Sequence, residues 1–161
     1  PMTNPDDERV VPPDVIYNIF IRTTPQNVWD ALTRSEFTTQ YFFGRTVESD
    51  WNKGSPWKLL FPDGRVDVDG EVLEADPPKL LKVTWRVAWL NEPEPPGFAL
   101  ITYEIVQHGE IVQLTMTQHT DSTIPRKYVK AGQMGWGAIL SSLKSMLETG
   151  KALDIQMKPP E

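Results

Sequence analysis

The sequence predicts an α+β fold in which a curved antiparallel sheet wraps around one long C-terminal helix. A strand and two short helices come first, about six segments with the two-residue period of strands follow, and a helical stripe closes the chain. Strands in an unbroken run favour hairpins and therefore an antiparallel sheet. Because the last helix has one apolar stripe, it needs a surface that buries the stripe, and the curved face of the sheet provides one.

The first elements are a strand over residues 14–22 and two helices. Alternating side chains make both faces of this strand fairly apolar, which is typical of a strand covered on both sides. Thr24 is a good N-cap for the first helix, and Pro25 suits its first turn because the missing N–H is not needed there. Ser35 starts a second short helix, and Gly44 is a suitable end for it.

The middle of the chain shows the two-residue period from Val47 onward. Residues 81–89 give the cleanest alternation, and Gly70 marks a bulge or a point of close approach. Turn-forming residues separate the strands, because proline fixes φ and glycine accepts a positive φ. These turns are Pro62-Asp63-Gly64, Pro77-Pro78, a rigid surface loop over 93–97 and the turn at 108–110.

The last segment is predicted to be a long helix with one apolar stripe. The stripe has spacing i, i+3, i+4, i+7 and i+11 and consists of Trp136, Ile139, Leu140, Leu143 and Leu147. Ser122 or Thr123 is expected to cap the start of the helix, and Gly150 is expected to end it. Gly132, Gly135 and Gly137 each cost about 1 kcal/mol relative to alanine inside a helix. They indicate close packing, open space beside the helix, or a helix that begins only near Gly137.

A single domain is expected over residues 14–150, with a flexible arm at 1–13 and a frayed tail at 151–161. The length of 161 residues is enough for one buried core. A net charge of −6 argues against nucleic acid as the main partner. Without an apolar run of about 18 residues, no membrane insertion is expected.

The residue content also bears on chemistry and location. The absence of cysteine excludes disulfides, thiol catalysis and thiolate metal sites. The first eight residues lack the features of an export signal, which makes the cytoplasm the expected location. No cofactor or metal ion is expected, because Asp67, Asp69 and Glu71 form a row on one strand rather than a converging cage. This row is interpreted as a solvated acidic face.

Four stretches have an order and spacing that resemble a known family. They are residues 19–32, residues 70–80 with Val83-Thr84-Trp85, residues 114–118, and Gly135-Trp136 followed by Leu140 and Leu143. The sequence is similar to the activator of heat-shock-protein-90 ATPase homologue-like family. That family lies in the START-like superfamily, which has the helix-grip (birch-pollen-allergen-like) fold. The resemblance implies a cavity for a small apolar ligand between the sheet and the C-terminal helix.

The first functional hypothesis is a binding module, without enzymatic activity, for a small apolar, aromatic or lipid-like molecule. Trp85 and Trp89 share a strand face, and their rings either stack on a planar ligand or simply fill the core. Gln118 stands where the family's histidine is expected, and His119 is displaced by one position onto the other face. The expected ligand-binding residues are Trp85, Trp89, Tyr103, Met116, Gln118, Trp136, Leu140 and Leu143.

Two alternatives remain open from the sequence. The first is a protein-interaction module, such as a chaperone cofactor or stress-response partner, acting as a monomer or homodimer. Its binding patch would be the region of Trp51, Trp57 and Phe61, if those rings are exposed. The second is a cyclase or hydrolase built on the cavity, for which Glu104 is the first carboxylate to consider. Three arginines, Arg45, Arg65 and Arg86, could bind a carboxylate or phosphate in a cavity, but they are interpreted as surface charges.

Overall fold

The computed structural model describes residues 4–89 and 99–156, so the loop predicted over 93–97 lies outside the described residues. The described segments contain short and long strands and three α-helices. In chain order they are β1 (Arg9–Val10), β2 (Val15–Ile21), α1 (Pro25–Thr33), α2 (Ser35–Tyr41), β3 (Thr46–Ser49), β4 (Pro56–Leu60), β5 (Val66–Asp76), β6 (Leu80–Val87), β7 (Ala99–His108), β8 (Ile111–Thr120), β9 (Ile124–Pro125) and α3 (Arg126–Thr149).

Seven of these strands form one antiparallel sheet with the order β2-β8-β7-β6-β5-β4-β3. Each strand from β3 to β7 pairs with the next along the chain, and β2 completes the sheet beside β8. Bulges interrupt the pairing of β5 with both of its neighbours, which increases the local twist and bends the sheet. With α3 packed on the sheet, this is the α+β helix-grip arrangement that the sequence predicts.

The capping residues predicted for α1 start this helix as expected. The Thr24 hydroxyl accepts a hydrogen bond of 3.2 Å from the Asn27 amide, and Pro25 is the first residue of α1. The end of α2 differs slightly from the prediction. Phe43 already has a positive φ of 51°, and Gly44 continues the turn with a φ of 76°. Both helices place apolar side chains in the same core as the sheet.

The surroundings of Gly70 are crowded, whereas three glycines of α3 have open space beside them. A Cβ atom at Gly70 would collide with the backbone carbonyl of Thr84, which confirms the predicted close approach. A Cβ at Gly132, Gly135 or Gly137 would meet nothing within 4 Å. The helix runs without a break through these three residues, so the suggestion of a late start near Gly137 is wrong and open space is the correct reading.

The expected cap of α3 is wrong. Pro125 occupies the N-cap position and no side chain caps the helix. The reason is that residues 124–125 are extended in β9, which pairs with β1 up to Pro125, the residue directly before the helix. Gly150 does end the helix, with a φ of 82° and its amide donating to the Met146 carbonyl at 2.8 Å.

The described parts of both terminal segments, residues 4–13 and 151–156, make contacts with the domain. The arm docks on the start of α3, where Arg126 pairs with Glu8 at 2.9 Å and Lys127 pairs with Asp7 at 3.0 Å. Its charges are complementary to those of the helix start, which sequence patterns do not reveal. The tail over residues 151–156 folds back on the helix, and the Leu153 amide donates to the Ser142 hydroxyl at 3.0 Å. Residues 157–161 lie outside the described chain.

Candidate functional site

Five aromatic rings meet between the sheet and the helices, and we call them the aromatic cluster. They are Phe42, Trp57, Trp85, Tyr103 and Trp136. Trp85 lies at the centre, with its ring centroid 5.2 Å from Trp57, 5.2 Å from Trp136 and 6.3 Å from Phe42. Tyr103 packs edge-on against Trp136 at 6.4 Å. Tilted and edge-on contacts of this kind are favourable beyond the area they bury.

Two of the indole groups are held in place by hydrogen bonds. Nε1 of Trp136 donates to Oε1 of Gln118 at 2.9 Å, which links α3 to β8. Nε1 of Trp57 donates to the backbone carbonyl of Thr84 at 2.8 Å, at the point where Gly70 lets β4 and β6 approach. A buried indole N–H usually has such a partner. These bonds determine the orientation of two rings of the cluster.

The space left beside the cluster is small. A cavity of about 20 Å³ remains between α1, α2 and the strands β3, β4, β6 and β7. A volume of about 15 Å³ is enough for one water molecule, so the cavity is nearly filled. It is lined mainly by Leu32, Tyr41, Phe42, Trp57, Trp85 and Tyr103. The lining includes no described residue of α3, because Trp136, Leu140 and Leu143 are buried and fill the space beneath the helix.

Two phenol groups reach this cavity. The Tyr41 hydroxyl donates to the Ala31 carbonyl at 2.8 Å, whereas the Tyr103 hydroxyl makes no hydrogen bond within residues 4–89 and 99–156. Burial raises the pKa of both phenols, and the nearby Tyr103 raises the pKa of Tyr41 further. Both side chains therefore remain protonated at neutral pH.

Comparison with known proteins identifies the family. The profile described as Activator of Hsp90 ATPase homolog 1-like protein matches residues 22–148. The chain belongs to this family. Members of the Hsp90 ATPase activator-like family bind ligands or act as chaperone cofactors. No curated protein matches the sequence.

Several solved structures share the fold of this family member. A protein from Mesorhizobium loti has a TM-score of 0.72 at 23% identity, covering 84% of this chain and 96% of that one. An Hsp90 activator from Plasmodium falciparum has a TM-score of 0.66 at 21% identity, covering 83% and 95%. CalU16 from Micromonospora echinospora has a TM-score of 0.65 at 16% identity, covering 88% and 83%. These TM-scores show a common fold, and at identities below 25% the similarity shows the fold alone.

The structure brings most of the predicted site residues together. Trp85, Tyr103 and Trp136 are members of the aromatic cluster, and Gln118 bonds to one of them. The other buried residues of the prediction, Met116, Leu140 and Leu143, belong to the same core. The cavity of about 20 Å³ beside the cluster does not lie beneath the C-terminal helix, where a hollow is expected, because Trp136, Leu140 and Leu143 pack there. A larger pocket of about 290 Å³ lies between the end of α2, Ser142 of α3 and the tail over residues 153–156. The sequence did not identify Tyr41 and Phe42 as site residues; they lie at the C-terminal end of α2.

Trp89 is the exception among the predicted site residues. It lies beyond the end of β6, is 43% exposed, and donates from Nε1 to Oδ1 of Asp67 at 2.7 Å. The alternation predicts that Trp89 follows Trp85 on the inner face, but the strand ends at Val87 and the next residue turns towards Asp67. The Ala88 amide donates to the Asp67 carbonyl at 2.9 Å, which fixes this turn.

Two members of the acidic row, Asp67 and Asp69, are paired with arginines, whereas Glu71 is exposed as the prediction of a solvated face has it. Nε of Arg45 donates to Asp67 at 3.0 Å, and both residues are buried. The Arg45 guanidinium also lies 4.7 Å from the centre of the Phe61 ring, so this arginine is not a surface charge. Arg86 binds both carboxylate oxygens of Asp69, at 2.9 and 2.8 Å, in a partly exposed pair. Register places these two residues opposite each other on neighbouring strands.

The residues of the two alternative hypotheses are placed differently from expectation. Trp57 and Phe61 are buried, and Trp51 is half-buried with its Nε1 donating to the Thr33 carbonyl at 2.9 Å. These rings therefore do not form an exposed patch. Glu104 is exposed on the outer face of β7, so its carboxylate does not face the cluster.

His119 forms a polar contact on the surface instead of joining the cluster. Its ring nitrogens lie 2.6 Å from Asp14 and 2.6 Å from Asp121. Hydrogen bonds to Asp14 and then to Asp121 raise the pKa of this histidine. In the part of the chain that the structure describes, no group of three His, Asp or Glu residues is arranged to hold a metal ion. The same residues include no helix that is long and apolar enough to cross a membrane.

Proposed function

We propose that this protein binds a small, planar and mostly apolar molecule among the rings of the aromatic cluster. The observation that supports this is the meeting of five rings from the sheet, α3 and the end of α2 around the remaining cavity. Aromatic rings provide large apolar faces with little rotamer freedom to lose. Burial of apolar ligand surface contributes about 25 cal/mol per Å² before the costs of binding.

Binding requires a second conformation, because the cavity holds only about 20 Å³. Pockets for drug-sized ligands have volumes of about 300–1,000 Å³. A protein whose competent state is populated at about 1% shows a Kd raised about 100-fold, which is about 2.7 kcal/mol. The proposal therefore predicts moderate affinity, and it predicts that changes favouring the open state strengthen binding.

The first half of α3 is the element that can open the cluster. None of its side chains over residues 126–135 is buried, and Met134 is 73% exposed. The Tyr17 hydroxyl donates to the Gln133 carbonyl at 3.0 Å, and the other contacts of this half include its ion pairs with the arm. Exposed pairs contribute about 0–1 kcal/mol each. Segments with few buried contacts open at low free-energy cost.

Displacement of this half would uncover the rings that matter for binding. Trp136 is the first buried residue of α3, and it contacts Trp85, which is itself partly exposed. Lifting the preceding turns of the helix gives a planar molecule access to the face of Trp85. The three glycines with open space beside them lie in the same part of the helix.

The test is a titration with naphthalene and fluorene, followed by thermal unfolding and by tryptophan fluorescence. We expect a rise in Tm and quenching for the natural sequence, and loss of both effects for Trp85→Leu. Trp89→Leu is the matched control, because it also removes one indole but at the surface. Absence of any Tm shift with the natural sequence, or binding retained by a folded Trp85→Leu variant, would refute the proposal.

A second candidate function is supported by the outer face of the sheet. Ile16 is 60% exposed, and Phe20 and Val106 are each 50% exposed. Phe20 and Val106 both lie opposite Gln113 in the sheet register, so they flank it on one face. Exposed apolar side chains that share a face are typical of protein-interaction sites. A chaperone cofactor would use such a surface.

This second candidate function is tested with purified Hsp90, since a protein of the same fold from Plasmodium falciparum is an Hsp90 activator. The measurement is the rate of ATP hydrolysis by Hsp90 with and without this protein. Acceleration that is lost in a Phe20→Ser/Val106→Ser variant would support a cofactor role on this face. Acceleration that survives in this variant would place the contact elsewhere, and no acceleration would exclude the role.

A further inference from the structure

Strand β2 forms one free edge of the seven-stranded sheet. Among residues 4–89 and 99–156, β8 is the only strand that pairs with it. The strand at the opposite edge, β3, has four residues, whereas β2 has seven. A short edge strand is a common protection against pairing with another chain, and a long one is a template for such pairing.

Alternate residues of β2 direct their main-chain groups to this free edge. The Phe20 carbonyl accepts a hydrogen bond from Nζ of Lys144, and the Arg22 amide donates to a carboxylate of the same helix at 2.8 Å. Both groups therefore point away from β8. Main-chain groups alternate between the two sides of a strand, so those of Ile16 and Asn18 point to the free edge as well.

The side chains at these positions form a pattern of charge and hydropathy. Ile16 is 60% exposed and Phe20 is 50% exposed, and both lie on the outer face of the sheet with the exposed Asn18 between them. Charges of opposite sign stand at the two ends. The side chain of Asp14 is 54% exposed, and that of Arg22 is 71% exposed.

This pattern is complementary to itself when two copies of β2 meet antiparallel. With Asn18 opposite the Asn18 of a second copy, Ile16 lies opposite Phe20 and Asp14 lies opposite Arg22. Apolar side chains then meet apolar ones, and each charge meets the opposite charge. A shift of two residues in either direction would place an apolar side chain opposite a charge. Each facing pair at such positions also exchanges two main-chain hydrogen bonds.

We propose that this protein forms a homodimer in which β2 pairs antiparallel with β2 of a second copy, about a twofold axis at Asn18. The two sheets then form one continuous sheet, and the exposed apolar side chains of the edge are covered. This association is independent of ligand binding, because the aromatic cluster lies on the other face of the sheet.

Lys144 limits the strength of this pairing. Lysine at a sheet edge disfavours the addition of a strand, and this one already binds the Phe20 carbonyl. Its side chain is 45% exposed, and a carbonyl oxygen has two lone pairs, so the Ile16 amide of a second copy can still bond there. Because one pair of strands buries less surface than a standard interface of about 1,600 Å², we expect a Kd above about 1 μM.

Sedimentation velocity over a range of protein concentrations, without ligand, tests the association. We expect a reversible dimer in the natural sequence. Asn18→Pro removes an N–H from the free edge and none from the ladder with β8, so we expect its Kd to rise at least about tenfold. Asn18→Ala is the matched control, because it loses the same side-chain bonds to Gln113 and Thr115 but keeps the N–H.

Charge reversal provides a second test that does not depend on proline. Arg22→Asp places like charges opposite each other, and we expect a Kd about tenfold higher. The double variant Asp14→Arg/Arg22→Asp restores opposite charges and is expected to restore association. Lys53→Asp is the control, because it makes the same change of net charge in the loop between β3 and β4, at the far end of the sheet. Tm of each variant verifies folding.

The outcomes decide the proposal directly. A chain that stays monomeric at every concentration would overturn it, and so would a dimer that Asn18→Pro and Arg22→Asp leave unchanged. If the chain is monomeric and these variants reduce the acceleration of Hsp90, the edge binds a different protein and the homodimer is wrong. The titration with naphthalene tests the aromatic cluster separately in each case.

Discussion

Nε1 of Trp136 donates a hydrogen bond of 2.9 Å to Oε1 of Gln118, and this bond ties the middle of α3 to the inner face of β8. Trp136 is 6% exposed, so its indole N–H has little access to water. Along the helix, this residue marks the boundary between an exposed first half and a buried second half. The bond therefore fixes the residue from which the exposed first half of α3 would move away in the proposed opening.

Replacement of Gln118 by leucine is expected to destabilise the fold by about 1–3 kcal/mol, because the buried indole N–H loses its acceptor. Urea denaturation measures the loss. Gln113→Leu is the control on the outer face of the same strand; its hydrogen bonds to Asn18 and His108 are exposed to solvent, so the expected loss is smaller, below about 1 kcal/mol. Equal losses for the two variants would show that the bond to Trp136 contributes no specific stability.

Alanine at Gly132 or Gly135 is expected to stabilise the protein by up to about 1 kcal/mol each, since both lie within a helix and a Cβ meets open space. The measurement is the free energy of unfolding in urea. The same change at Gly70 provides the contrast, because its Cβ would collide with the Thr84 carbonyl. If Gly70→Ala were as stable as the natural sequence, the close approach of β4, β5 and β6 would be incorrect.

Removal of Asp67 is expected to cost about 3 kcal/mol, because it leaves the buried Arg45 guanidinium without its counter-charge. Asp67→Ala also frees the indole of Trp89, whose fluorescence would then shift towards that of an exposed tryptophan. Asp69→Ala is the matched control, since its partner Arg86 is partly exposed and the expected cost is below about 1 kcal/mol. Thermal or chemical unfolding of the two variants decides between these values.

The contacts of His119 predict a dependence of stability on pH. Hydrogen bonds to Asp14 and Asp121 raise its pKa in the folded state above the ordinary value of 6.5. The contribution of this group is therefore complete below pH 6.5 and is lost as the pH rises through the raised pKa. Tm measured from acidic to mildly alkaline pH should show this loss, and His119→Asn should remove it. An NMR titration giving an ordinary pKa for His119 would contradict the prediction.

Local patterns in the sequence predict much of the fold. Thr24 with Pro25 starts α1 and Gly150 ends α3, because capping depends only on residues within one turn of the helix. The two-residue period likewise identifies β4 to β8, since it records which face of a strand is buried. Such signals act over a few residues and do not depend on the rest of the structure.

The remaining features depend on contacts between distant segments. The pair of Arg45 and Asp67 joins residues 22 positions apart, and only the register of β3, β4 and β5 brings them together. Periodicity places Trp85 on the inner face but does not say how tightly neighbouring rings fill the space. Periodicity also wrongly extends β6 to Trp89, because the alternation of side chains does not show where hydrogen bonding to the next strand ends. The small cavity was therefore beyond the reach of sequence reasoning.

The docking of the amino-terminal arm has a practical consequence for anyone who handles this protein. Glu8 and Asp7 fasten the first turn of α3, so a leader peptide, purification tag or truncation at this end changes how readily that turn detaches. We expect versions that start after residue 10 to capture aromatic compounds more easily and to melt at a lower temperature. Affinities obtained with differently trimmed preparations would then disagree, even though every residue of the aromatic cluster is identical.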